Sequence, residues 1–229
     1  MTNTLVPSGS TVAFGASTTW GWGGGSGGYS AAEGGYEGDG YPRQLAAMNN
    51  WVVPNYGIVG DALTAPTTHD PVNARQRFQD FIATNYDIHG IVAWIGTNDL
   101  STGATATQIV NAYRAMIGSA TAVAAPLFLC TIQPQGWGST DQKEIYREQV
   151  NNWIRQGHAD AGVYYAIDVE QALKGSNSRV MDSRFIANGI SANPQTGYPH
   201  LSVPGYGVVA QSVTSGMASP VNSLPLVTY

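Results

Sequence analysis

Thr11-Val12-Ala13-Phe14-Gly15-Ala16-Ser17-Thr18-Thr19-Trp20-Gly21 is the stretch on which the reading of this chain turns. An apolar run of strand character stops at Gly15, so the next hydroxyl, that of Ser17, rides on the turn that leaves the strand's carboxyl end. In a parallel α/β sheet the functional crevice lies outside the carboxyl ends of the strands. Gly-Ala-Ser-Thr-Thr is also an ordinary strand-to-loop turn, so the weight passes to stretches further along the chain.

Outward from this stretch, apolar runs at 51–53, 88–95, 127–132 and 163–169 read as further strands. Between them, 39–49, 69–85, 104–120, 141–156 and 204–215 carry apolar residues at helical spacing. Val72, Phe78, Phe81 and Ile82 mark one stripe, and Tyr146, Val150, Trp153 and Ile154 another. Strands that are apolar throughout and alternate with helices imply a parallel sheet covered on both faces. The expected fold is a single α/β domain over 1–229, a three-layer α/β/α sandwich with a flavodoxin-like sheet and no internal repeat.

Composition narrows the function classes. A chain of 229 residues that is 43% hydrophobic suits one domain with a substantial core. Only 11% of residues are charged, the net charge is −5, and no run of Lys or Arg occurs. Nucleic acid and anionic membranes are therefore not expected partners. Cys130 is the only cysteine and lies in an apolar strand, which excludes an intrachain disulfide and a Cys metal cluster and suits a structural thiol. Neither a metal nor an organic cofactor is expected. The first residues lack a basic segment and an apolar stretch of signal-peptide length, and no run of about 18 apolar residues occurs. A cytoplasmic location is the default expectation.

Residues 21–40 are dominated by Gly, with Trp22, Tyr29 and Tyr36 spaced among them. Gly23, Gly25 and Gly28 spell a dinucleotide fingerprint and 24–28 spell Gly-x-Ser-x-Gly, but neither follows a strand or opens a helix. Such matches arise by composition alone. The loop reads either as an aromatic flap beside Ser17 or as a surface loop pinned by its aromatics. His69, His89 and His158 lie in helix or strand contexts without a motif and read as structural.

Three further stretches complement the Ser17 turn: Asn55-Tyr-Gly-Ile-Val-Gly60-Asp61, Gly96-Thr-Asn98-Asp99, and His200 just before the last helix. Together with Gly15-Ala-Ser17-Thr-Thr-Trp-Gly21 they resemble the blocks of the SGNH hydrolases, the GDSL-type esterases and lipases, over about residues 11–210. The first block matches except at Ala16, where the family has Asp. The second and third match throughout, and the fifth matches at His200 and Gly205-Tyr206.

The resemblance implies a serine esterase. The lack of an apolar lid or long hydrophobic flap points to short-chain carboxylic esters, and the Trp- and Tyr-bearing glycine loop to acetyl groups on carbohydrate. An open, aromatic-lined pocket would add acyl transfer to an alcohol as a side activity. Ser17 would be the nucleophile and His200 the base, with the backbone N–H groups of Ser17 and Gly60 and the Asn98 amide holding the oxyanion. Three residues before His200, where the family carries its triad Asp, this chain has Gly197. The Gly197 carbonyl, Asp182, Asn188 and Asn193 are the candidates to orient the imidazole. The rival reading is a catalytically silent module of the same fold that binds glycans or serves a structural role.

Overall fold

Five short parallel strands carry the molecule: β1 (Thr11–Gly15), β2 (Asn55–Gly57), β3 (Gly90–Trp94), β4 (Leu127–Cys130) and β5 (Tyr165–Ile167), in the spatial order β2-β1-β3-β4-β5. The computed structural model describes residues 9–22, 39–68, 70–85, 87–157, 162–187 and 200–219. This strand order is the flavodoxin-like one, and it places the topological switch beside β1, between β1 and β3. Gly15 pairs with Gly57 on one side and Trp94 on the other. Three strands thus end level, and the turns that follow them emerge side by side.

Side chains alternate between two cores, as strands buried on both faces require. Val12, Phe14, Ile91, Ala93, Leu127 and Leu129 pack with Phe78, Ile109, Tyr113, Val150 and Ile154 from α3 (Ala74–Ile82), α5 (Ala106–Ala122) and α6 (Gln142–Gln156). On the other face Ala13, Val92, Trp94, Phe128, Cys130 and Ile167 meet Leu45, Leu173, Tyr206 and Val209. Those come from α2 (Tyr41–Asn49), α7 (Val169–Leu173) and α8 (Val203–Ala218). Cys130 is free and buried, and burial pushes its thiol well up.

Local chemistry sets the helix bounds. Thr105 and Gln108 form a capping box at the start of α5, Asp141 caps α6 by accepting from Lys143 N, and Gly157 ends α6 in the left-handed region. α3 begins at Ala74 rather than at 69, because Asn73 accepts from Gln76 N at 2.9 Å and starts the helix there. Val72 therefore lies outside the helix, exposed rather than inward. The strand expected at 51–53 is displaced to β2. Val52 and Pro54 each accept a hydrogen bond from β1 at 3.0 Å, but proline has no N–H to return, and reciprocal pairing starts only beyond it.

The strand expected at 163–169 is β5, and Val169 opens α7 because the Asp168 side chain caps it through Gln171 N. The short helices α1 (Ser17–Trp20), α4 (Thr97–Ser101) and α7 have no counterpart in the sequence reading. Segments of four or five residues are too brief to show a period.

Candidate active site

Ser17 opens α1 directly beyond β1. The helix folds back so closely that a Cβ on Gly57 of β2 would stand 2.3 Å from Trp20 N. Only glycine admits this approach. Ala16 is buried in the apolar core, so the site that the family fills with Asp carries a packed methyl here. Its carbonyl accepts from Trp20 N at 2.9 Å and starts the turn.

His200 arrives from the far end of the chain. An isolated bridge pairs Leu201 with Ile186, Ser202 N donates to Phe185 O at 2.8 Å, and Ser202 caps α8. These contacts leave His200 Nε2 at 3.1 Å from Ser17 Oγ, across 183 residues of sequence. The Trp22 ring stacks on the imidazole at 5.3 Å between centroids and 19° between planes. Trp22 is in turn held by Tyr206, whose hydroxyl donates to Trp22 O at 2.6 Å. Burial lowers the His200 pKa to about 4, so the ring is neutral at pH 7 and able to accept a proton.

Asn98 and Asp99 occupy α4, directly beyond β3. One N–H of the Asn98 amide donates to Asp61 O at 2.8 Å, which leaves the second N–H of that amino group for another acceptor. Asp99 is buried and binds the neighbouring loop: Oδ2 accepts from Leu63 N at 2.9 Å, and Oδ1 accepts from Thr64 N at 2.8 Å and Thr64 Oγ1 at 2.7 Å. Gly60 lies on that loop with φ 77°, in the region where a side chain would be strained. The loop also has an anchor on its other side. Arg77 of α3 donates to the Asp61 carboxylate, to Tyr56 O at 2.9 Å and to Gly15 O at 3.3 Å, and its guanidinium lies 4.1 Å from the Phe14 ring centroid.

The structure thus brings Ser17 and His200 together, and it ties Asn98 to the loop bearing Gly60. Asp182 is engaged elsewhere. It caps a 3-10 turn (Ser183–Phe185), and both its oxygens accept from Arg184, which holds its carboxyl down at about 2. Gly197, Asn188 and Asn193, like the Gly-rich stretch at 23–38, His69 and His158, lie outside the described residues. His89 is exposed and tilts against Trp51, with ring centroids 5.5 Å apart. Among the described residues, no group of three or more His, Cys, Asp or Glu side chains could hold a metal ion, and no helix is long and apolar enough to cross a membrane.

Two contributors escaped the sequence reading. Gln133, a few residues beyond β4, lines a cleft with Ser17, Trp94, Ile95, Thr97 and Asn98. Applying to β4 the rule used for β1 and β3, that polar residues just past a strand's carboxyl end face the crevice, would have singled it out. Arg77 had a signal too: it is a cation on the same helical face as Ala74 and Phe81, where an apolar residue is expected.

A parallel sheet of this order, with a hydroxyl and a neutral imidazole in contact at its rim, defines a class of α/β sandwich hydrolases. The chain belongs to the GDSL-like Lipase/Acylhydrolase family, whose model matches residues 13–208, and it is a carboxylic ester hydrolase. Among solved structures it is similar to Est24, a carbohydrate acetylesterase from Sinorhizobium meliloti, with 14% identity, coverage of 92% of this chain and 99% of that one, and a TM-score of 0.67. It is also similar to the inhibitor-bound aryl esterase of M. smegmatis, with 13% identity, coverage of 93% and 100%, and a TM-score of 0.67. A member of the lipolytic protein G-D-S-L family from Veillonella parvula DSM 2008 shows 17% identity, coverage of 94% and 100%, and a TM-score of 0.65. At these identities the likeness is one of fold. Comparison with curated proteins by sequence finds no match.

Proposed function

We propose that the protein hydrolyses short-chain carboxylic esters through an acyl-enzyme formed on Ser17. The observation that carries this reading is the 3.1 Å contact between Ser17 Oγ and His200 Nε2. Ser17 Oγ bonds to the acyl carbon as its proton passes to His200 Nε2. The tetrahedral intermediate then expels the alcohol, which leaves with that proton, and water repeats the sequence to release the acid and restore Ser17.

The oxyanion is held by the N–H groups of Ser17 and Gly60 and by the unspent N–H of Asn98, each donor worth roughly 3–4 kcal/mol in the transition state. The hydrogen bond from Asn98 to Asp61 O fixes the amide before substrate arrives, so no reorganisation is needed during the reaction. Stacking on Trp22 fixes the plane of the imidazole, part of the task that an acid performs in a triad.

The small cleft beside Ser17 favours short acyl groups, and acetyl esters of carbohydrate are the narrower choice, in keeping with the similarity to a carbohydrate acetylesterase. In a site open to a second alcohol, acyl transfer accompanies hydrolysis. The test is turnover of p-nitrophenyl esters from acetate to octanoate by wild type and Ser17→Ala, together with labelling by an organophosphonate probe. Labelling and turnover that both vanish in a folded Ser17→Ala variant support the reading. An unlabelled, inactive wild type supports the silent glycan-binding module, and equal turnover in both proteins removes Ser17 from the mechanism.

A further inference from the structure

The side chain of Gln133 has no structural use that the described residues reveal. It is 1% exposed, and its amide nitrogen finds no hydrogen-bond partner. Buried donors are normally paired, and leaving one unpaired costs free energy that a folded chain ordinarily avoids. The backbone before it is held on both sides: Ile132 N donates to Asn151 Oδ1 at 2.7 Å, and Ile132 O accepts from Asn151 Nδ2 at 2.8 Å and Arg147 Nη1 at 3.1 Å. Asn151 and Arg147 both donate to Glu170, at 3.0 and 2.7 Å, and all three are buried. A buried, unspent amide, next to a backbone that is held in place, therefore forms part of the wall of the cleft beside Ser17 and Asn98.

That cleft lies on the acyl side of the bond to be broken. The leaving alcohol must rest against His200, which returns its proton, and His200 does not line the cleft, whereas Asn98 does. We propose that Gln133 is a specificity-determining residue that donates a hydrogen bond to the acyl group. The preferred substrates are then esters of short acids carrying an ether or hydroxyl oxygen near the carbonyl, such as alkoxy- and hydroxyacyl esters, over all-carbon chains of the same length. A site built to donate a hydrogen bond discriminates against the analogue lacking the acceptor, because the buried donor is then left unpaired. The inference rests on the esterase reading above and adds the chemistry of the acid.

The experiment compares p-nitrophenyl methoxyacetate with p-nitrophenyl butyrate, which differ by one oxygen in place of a methylene. For wild type, Gln133→Leu and Ser17→Ala, each kcat/KM is divided by the ester's hydroxide-catalysed rate constant to remove intrinsic reactivity. We expect a corrected preference of about tenfold for methoxyacetate in wild type, falling to near unity in Gln133→Leu. A wild-type corrected ratio at or below one overturns the assignment even if the leucine variant does not fold, and so does an unchanged ratio in a folded variant. In those cases turnover still depends on Ser17. Turnover that persists in Ser17→Ala instead overturns the esterase mechanism itself.

Discussion

Replacing Arg77 by Met tests how the rim of the sheet is held. Arg77 is 9% exposed and reaches three parts of the rim at once: Gly15 O before the Ser17 turn, Tyr56 O of β2, and the fully buried Asp61 carboxylate beyond Gly60. Asp70, also buried, lies 3.4 Å from Arg77 Nε. Removing one partner of a buried ion pair costs about 3–5 kcal/mol, because the other charge is stranded. For a domain of this size that is a fall in Tm of roughly 10 °C.

The pH dependence of that fall identifies its cause. Burial pushes Asp61 up to about 6 even with Arg77 opposing it, and without Arg77 it rises further. From its ordinary value near 4 up to that raised value, the folded protein binds a proton that the unfolded chain releases, so stability falls as pH rises. Urea denaturation of wild type and Arg77→Met at pH 5 and pH 8 should show a deficit that widens with pH. Adding Asp61→Asn should narrow it at pH 8. A deficit below about 1 kcal/mol at pH 8, or one that shrinks as pH rises, would refute the role assigned to Arg77. Turnover should fall with it, by roughly tenfold to a hundredfold and mostly in kcat, since displacing the Gly60 loop by an ångström would misaim the oxyanion donor proposed there.

In the proposed mechanism His200 must be neutral to accept the Ser17 proton, and burial lowers its pKa to about 4. Initial rates on p-nitrophenyl acetate should therefore rise with pH through about 4 and stay level from pH 5.5 to 8, whereas a midpoint near the ordinary histidine value would contradict the buried environment. Because both oxygens of Asp182 are held by Arg184, Asp182→Ala should leave kcat/KM within about twofold of wild type. A loss above tenfold in a correctly folded variant would place Asp182 on the imidazole.

The architecture was legible because the sheet announces itself in apolar runs and because each strand ends in a turn of recognisable chemistry. Ser17, Gly60, Asn98 and His200 could be named because the stretches that carry them resemble the blocks of a known family, and each lies close to a strand end or a helix start. β2 was misplaced because 51–53 has strand composition while Pro54 denies it the second half of a ladder, a loss that composition does not register. Trp22 could be placed near the site but not on His200. Its stacking depends on the hydroxyl of Tyr206, 184 residues away, and on a bridge between Ile186 and Leu201. Contacts of that range are set by tertiary packing, and no local pattern encodes them.

Low charge content hides a consistent use of arginine. Of ten Lys and Arg residues in the chain, Arg77, Arg147 and Arg155 are buried, and the first two lie directly beneath rim loops. Arg77 supplies donors to Gly15 O and Tyr56 O, and Arg147 to Ile132 O and Ser178 O at 3.1 and 3.2 Å. Gly15 O, which also accepts from Ile58 N at 3.0 Å, and Ile132 O, which also accepts from Asn151 Nδ2 at 2.8 Å, gain in these guanidinium groups further donors that apolar packing cannot provide. A guanidinium offers five donors in a fixed plane and satisfies two carbonyls and a carboxylate together. Arg155 completes the second cluster by donating to Asp168 and Glu170, and Glu170 binds Arg147 as well. Each cluster underlies one side of the crevice, the Gly60 loop on one and the Gln133 segment on the other. The charges therefore fix the loops that, in the proposed mechanism, hold donors still around a reacting ester, and the apolar layers supply the bulk of the core.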